Sequence, residues 1–136
     1  MAKMVLLAQY LSINGTALSS YTKKAELSVE VEDKDVTNYA SLGWKELLGG
    51  LKSAELAVEF LQDFAASQLD SIMWPLLGTV VAFEVRSDQA AVGASNPKYT
   101  GSILIKGWNP IEGSVGDEAT VGLSFPTSGA VTRAIV

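Results

Sequence analysis

Residues Thr22–Glu32 read TKKAELSVEVE and residues Leu51–Gln62 read LKSAELAVEFLQ, and both alternate with a period of two. In the first, Ala25, Leu27, Val29 and Val31 share one parity, while Glu26, Ser28, Glu30 and Glu32 take the other. In the second, Ala54, Leu56, Val58 and Phe60 oppose Ser53, Glu55, Ala57 and Glu59. Successive side chains of a strand point to opposite faces, so each stretch predicts a long strand with an apolar face and an acidic one. Paired in a sheet, the two would pack on a core behind and display carboxylates in front. A solubilising face ordinarily mixes the two signs, because like charges opposite each other across strands repel. A face of nearly one sign asks for a reason, and a plain solvated surface is the simplest one.

Between these strands lies Asp33–Gly50 (DKDVTNYASLGWKELLGG), far longer than a hairpin turn needs. Long loops in compact domains commonly bind something, so this segment is a candidate contact arm; the alternative is that Trp44 folds back onto the core. Gly49-Gly50-Leu51-Lys52-Ser53 departs from a phosphate loop, since a residue separates Gly50 from Lys52 and a strand follows instead of a helix.

Upstream, Lys3 to Ile13 and Thr16 to Leu18 flank Asn14-Gly15 and predict a hairpin with a type I′ turn. Downstream, Asp63 is placed to cap a helix over about 64–74, with Ala65, Leu69, Ile72, Met73 and Leu76 at helical spacing and Pro75 ending or kinking it. Further strands are expected at Thr79–Arg86, Thr100–Trp108, Ala119–Phe125 and Ala130–Ile135. Ser87–Lys98 (SDQAAVGASNPK) reads as a mobile loop. The sum is a mainly β chain: an antiparallel β-sandwich or partly closed barrel of about seven to eight strands, with one flanking α-helix, forming a single domain over 1–136.

Composition narrows the chemistry. The 136 residues contain no cysteine and no histidine, which removes thiol nucleophiles, histidine-based triads and the usual zinc ligands. No cofactor or metal is expected. A net charge of −5 argues against binding nucleic acid by phosphate attraction. The apolar run near the N-terminus ends at Gln9, too short for a signal-peptide core, and no segment approaches a membrane span, so the chain reads as made and kept in a cytoplasm with no membrane partner. Paired carboxylates serve glycoside hydrolysis when their environments differ, whereas Glu26, Glu30, Glu55 and Glu59 repeat regularly on one open face. The chain therefore reads as non-enzymatic.

Two groups of segments carry a family resemblance. They are Tyr99–Ile105 with Asn109–Thr120 through Gly129–Arg133, and Gly43–Ala54 followed by Phe60–Phe64. In this order they resemble the major tail proteins, or tail tube proteins, of long-tailed bacteriophages. The resemblance implies a β-sandwich that self-assembles into hexameric rings, stacked as a hollow tube through which DNA is ejected. It also implies other tail proteins as partners (initiator, terminator and tape measure), DNA passing without specific binding, and a place in the virion tail after assembly in the bacterial host cytoplasm. On this reading Glu26, Glu30, Glu55 and Glu59 face the lumen. Asp35, Tyr39, Trp44 and Lys45 belong to an arm, about 33–50, that reaches an adjacent ring. Sixfold repetition would put about two dozen carboxylates in each ring of a closed barrel, repelling DNA over about 8 Å at physiological salt. The alternative function is a monomeric carbohydrate-type binding module with Trp44, Trp74 and Trp108 as stacking platforms. An acid/base hydrolase is a distant third.

Overall fold

The computed structural model describes residues 3–136. Its strands are β1 (Tyr10–Ile13), β2 (Thr16–Ala17), β3 (Thr22–Asp35), β4 (Leu47–Leu61), β5 (Val80–Arg86), β6 (Lys98–Leu104), β7 (Thr120–Pro126) and β8 (Thr132–Ala134), with one short helix, α1 (Leu69–Met73). They form two antiparallel sheets, one ordered β2-β1-β5-β6-β8 and the other β3-β4-β7. The sheets face each other as a sandwich and do not close into a barrel. An isolated bridge between Ile103 and Thr127, with Ser128 N–H donating to the Ser102 carbonyl at 2.8 Å, stitches them at one corner.

The period-two reading holds in β4, while of the apolar set expected on the core from β3 only Ala25 and Leu27 pack against it and Val29 and Val31 stay more than half exposed, because the strand runs on past the sandwich. Leu56, Val58 and Phe60 of β4 and Val121 and Phe125 of β7 meet Leu11, Ile13, Phe83, Val85 and Ile103 from the other sheet, with Leu18, Leu69, Met73 and Trp108 closing the ends. Each large apolar side chain buried there contributes about 1.5–3 kcal/mol. The β1–β2 turn has Asn14 and Gly15 at φ 54° and 77°, the left-handed pair a two-residue hairpin requires.

Four local expectations change. Residues 3–9 form no strand, because β1 finds a partner in β5 only from Tyr10 onward. The helix begins five residues later than the apolar spacing indicated: Asp63 Oδ1 accepts from Ala65 N–H at 2.9 Å in a local turn, and Ser67 sits at φ 61°, which no helix tolerates. Pro75 then lies in a 3₁₀ turn, Trp74–Leu76, that continues from α1. The 87–98 segment is organised around the buried amide of Asn96, whose Nδ2 donates to the carbonyls of Asp88, Ala90 and Ala91 at 3.0–3.3 Å while its Oδ1 accepts from Asp88 N–H at 3.2 Å.

The fourth change concerns the arm. β3 and β4 continue past the sandwich, pairing Asp33 with Gly49, Lys34 with Leu48 and Asp35 with Leu47 beyond a bulge after Val31. The segment expected as an 18-residue loop over 33–50 is thus a projecting two-stranded ribbon with a tip of residues 36–46. Gly50 suits the bulge, since a Cβ there would lie 3.3 Å from the Glu32 carbonyl oxygen.

Candidate assembly and channel surfaces

The outer face of the three-stranded sheet gathers the four predicted glutamates. The register sets Glu26 opposite Ala57, Glu30 opposite Ser53, Glu55 opposite Ser28 and Glu59 opposite Lys24. No glutamate of this set therefore faces another directly. They form a zigzag, Glu30–Glu55–Glu26–Glu59, of diagonal neighbours about 7–8 Å apart. On its other side β4 places Glu55, Ala57 and Glu59 against Pro126, Ser124 and Gly122 of β7. Serine, alanine and glycine fill the space between carboxylates, so the surface is smooth as well as acidic. Ser124 Oγ donates to Glu55 Oε1, and Ser28 Oγ donates to Glu26 Oε1 at 3.2 Å.

Where this face meets the 109–119 loop, Lys23 Nζ bridges to Glu118 Oε1 at 2.9 Å. The hydrogen bond and charge of Glu118 raise the lysine's pKa above its ordinary value, and the same contact holds the Glu118 carboxyl below the usual range. Both partners are exposed, which keeps their mutual attraction small.

Both edges of this sheet lack a partner strand among the described residues. Thr127 N–H donates to Ala54 O, and Gln62 N–H to Ala119 O, so the odd-numbered residues of β7 turn toward β4. Antiparallel alternation then directs Thr120, Gly122 and Ser124 outward, with Pro126, which has no N–H, at the end of the row. On β3 the outward row begins at Ala25, whose carbonyl accepts from Gln9 Nε2 at 3.2 Å.

The arm carries a different surface. Asp35 Oδ1 accepts from Thr37 N–H at 2.8 Å, and hydrogen bonds from Thr37 hold the Asp35 carboxyl below its ordinary pKa. Asn38 caps a 3₁₀ turn, Tyr39–Ser41: its Oδ1 accepts from Ala40 N–H at 3.0 Å, and Ser41 Oγ accepts from Asn38 N–H at 3.2 Å. Ser41 Oγ also donates to Glu46, and Thr37 Oγ1 accepts from Glu46 N–H at 2.9 Å, so the tip is closed on itself. Tyr39 is fully exposed on this tip, with Trp44 79% and Leu42 84% exposed beside it, and Lys45 follows. Trp44 does not fold back on the core. Val29, Val31, Val36, Leu47, Leu48 and Leu51 add further exposed apolar surface along the ribbon.

The three tryptophans share no platform. Trp108 is buried, its Nε1–H donating to Asp70 Oδ1 at 3.0 Å and its ring 6.4 Å from that of Phe60. Trp74 is exposed in the 3₁₀ turn after α1, and Trp44 stands on the arm. Sequence reasoning missed the Asp70–Trp108 bond and the Lys23–Glu118 bridge, because both join residues distant in the chain with no local pattern. Among the described residues no cluster of carboxylates has the arrangement of a metal site, and no helix is long and apolar enough to cross a membrane.

A β-sandwich whose exposed apolar surface is concentrated on a projecting ribbon, beside an acidic sheet with two open edges, defines a protein built to contact other proteins. The sequence model described as phage tail tube protein matches residues 15–133. The chain belongs to that family, and it is accordingly a structural protein of the tail tube, a component of the virion tail. Two solved structures share its fold. A chain from the virion of a native gene transfer agent particle is 24% identical with a TM-score of 0.71, covering 91% of this chain and 95% of that one. A chain from the tail of an empty gene transfer agent particle, determined by helical refinement with C6 symmetry, is 24% identical with a TM-score of 0.68 and 93% coverage of each. A comparison with curated protein sequences gives no match.

Proposed function

We propose that this chain is a non-catalytic tube subunit that self-assembles into stacked hexameric rings, with the outer face of β3-β4-β7 lining the channel. The observation that carries this reading is the coincidence of Glu26, Glu30, Glu55 and Glu59 with the sheet whose edge strands are long, 14 residues in β3 and 7 in β7, and unpaired among the described residues, where the five-stranded sheet ends in β2 and β8 of only 2 and 3 residues. Pairing β3 of one copy with β7 of the next satisfies those edges and closes a barrel around a carboxylate wall. DNA is repelled from such a wall over about 8 Å and slides past without specific binding, where a basic wall would hold phosphate. The 36–46 tip, including Tyr39, Trp44 and Lys45 with Asp35 at its base, reaches the adjacent ring. Initiator, terminator and tape-measure proteins are the partners of the finished tube. The six-copy symmetry of the gene transfer agent tail supports the same ring size here.

Replacing Glu30 and Glu55 by lysine in assembled particles tests the wall. The expected result is normal tube length with impaired DNA delivery. Full infectivity from such tubes would remove the lumen assignment.

A further inference from the structure

A second group of exposed apolar residues lies at the opposite end of the same strands. β4 runs from Leu47 at the arm to Leu61, and beyond Leu61 the chain is tied to the loop preceding β7. Gln62 N–H donates to the Ala119 carbonyl at 2.9 Å, and Gln62 Nε2 to the Pro110 carbonyl at 2.8 Å. These bonds gather Leu61, Phe64, Ile111 and Val115 at one end of the sheet, all exposed, Ile111 at 88%. The loop that carries Ile111 and Val115 is acidic: Glu112, Asp117 and Glu118 line a cavity of about 570 Å³ with Glu59 and Lys23. Of its three loop carboxylates only Glu118 is ion-paired among the described residues.

The arm offers the complement. Tyr39, Leu42 and Trp44 are exposed apolar groups on a tip that is already folded, and Lys45 beside them has no ion-pair partner among the described residues. Leu42 is held at φ 53°, a left-handed conformation unfavourable for leucine, with its side chain in solvent. Strain retained at an exposed apolar tip points to a contact made elsewhere. From Glu30 to Asp35 the ribbon spans about 17 Å at about 3.3 Å per residue, so the tip stands well clear of its own sandwich. Two unlike surfaces at opposite ends of one subunit make a head-to-tail contact, the kind that repeats indefinitely along an axis.

We infer that the arm tip of one copy docks on the base of a copy in the next ring, with Leu42 and Trp44 packed on Ile111 and Val115 and Lys45 beside Glu112 and Asp117. This rests on the reading of residues 36–46 as the stacking arm and adds the surface that receives it.

The absence of native cysteine makes cross-linking clean. In tubes of the full chain carrying Trp44→Cys and Val115→Cys, or Leu42→Cys and Ile111→Cys, a short bis-maleimide should yield a ladder of multimers, with monomer only in unassembled protein. Tubes of normal length without adducts from either pair overturn the receiver. Deleting Asn38–Lys45 tests the arm separately: folded subunits that stack poorly are expected, and tubes that still form would overturn the arm reading and the contact with it. Should the cysteine pairs fail to assemble, charge reversal decides: Lys45→Glu is expected to slow tube growth by up to about fivefold, from one exposed ion pair per contact. Glu112→Lys or Asp117→Lys in the same chain should restore the rate. No restoration by either counts against the contact.

Discussion

Neutralising the acidic face should leave the subunit slightly more stable, and the register says by how much. Three diagonal pairs, Glu30–Glu55, Glu55–Glu26 and Glu26–Glu59, lie about 7–8 Å apart. Two unit charges at that distance in water repel by about 0.5 kcal/mol, and screening at physiological salt lowers this to about 0.2 kcal/mol. Glu55 belongs to two of the pairs, so Glu55→Gln should stabilise by about 0.4–1 kcal/mol while keeping an acceptor for Ser124 Oγ. Glu59 sits opposite Lys24 and close enough to Lys23 to affect it, so Glu59→Gln should gain nothing. Urea unfolding of the monomer measures both, and in 1 M salt, where the screening length is about 3 Å, the Glu55 gain should disappear. A loss of about 1 kcal/mol or more for Glu55→Gln would refute an open, mutually repelling face, because it would mean the carboxylate holds a buried partner.

Removing the Asp70 carboxylate leaves the buried Trp108 Nε1–H without its acceptor, so Asp70→Ala should cost about 1–3 kcal/mol. Thermal melting should register this as a fall of about 3–10 °C, largely recovered by Asp70→Asn, which keeps an oxygen in place. The Lys23–Glu118 bridge predicts a pH dependence with two limits. Its carboxylate part is present above the ordinary glutamate pKa of the unfolded chain and fades as pH falls through the lowered folded value. Its ammonium part is present below the ordinary lysine pKa and fades as pH rises through the raised folded value. The difference in unfolding midpoint between wild type and Lys23→Ala should therefore be flat from about pH 5 to about pH 10 and shrink on both sides; a difference growing beyond either limit would contradict the assignment.

Much of the fold was legible because it is local. Parity in Thr22–Glu32 and Leu51–Gln62 needs only a period of two, and Asn14-Gly15 needs only positive φ at both positions. What escaped depends on partners far along the chain. Asp33 and Gly49 are turn-like residues, yet a bulge after Val31 lets them pair and lengthens the ribbon into what reads as loop. Ala65 and Leu69 fit a helical stripe, but Asp63 and Ser67 favour a turn, and nothing short of tertiary packing decides between them. Asn96 in a polar stretch looks like any loop amide until the carbonyls of Asp88, Ala90 and Ala91 close around it. For the acidic face, the sequence shows that the glutamates share a side but not how they are staggered. Register alone separates Glu26 from Glu55 and spares the sheet a direct clash.

Which face of the three-stranded sheet meets the channel is read directly by cryo-electron microscopy of tubes assembled from the purified chain. The prediction is a ring of six with Glu26, Glu30, Glu55 and Glu59 on the inner wall and the β3 and β7 edges paired between neighbours. A tube whose channel is lined by the five-stranded sheet, with these carboxylates on its outer surface, would contradict it.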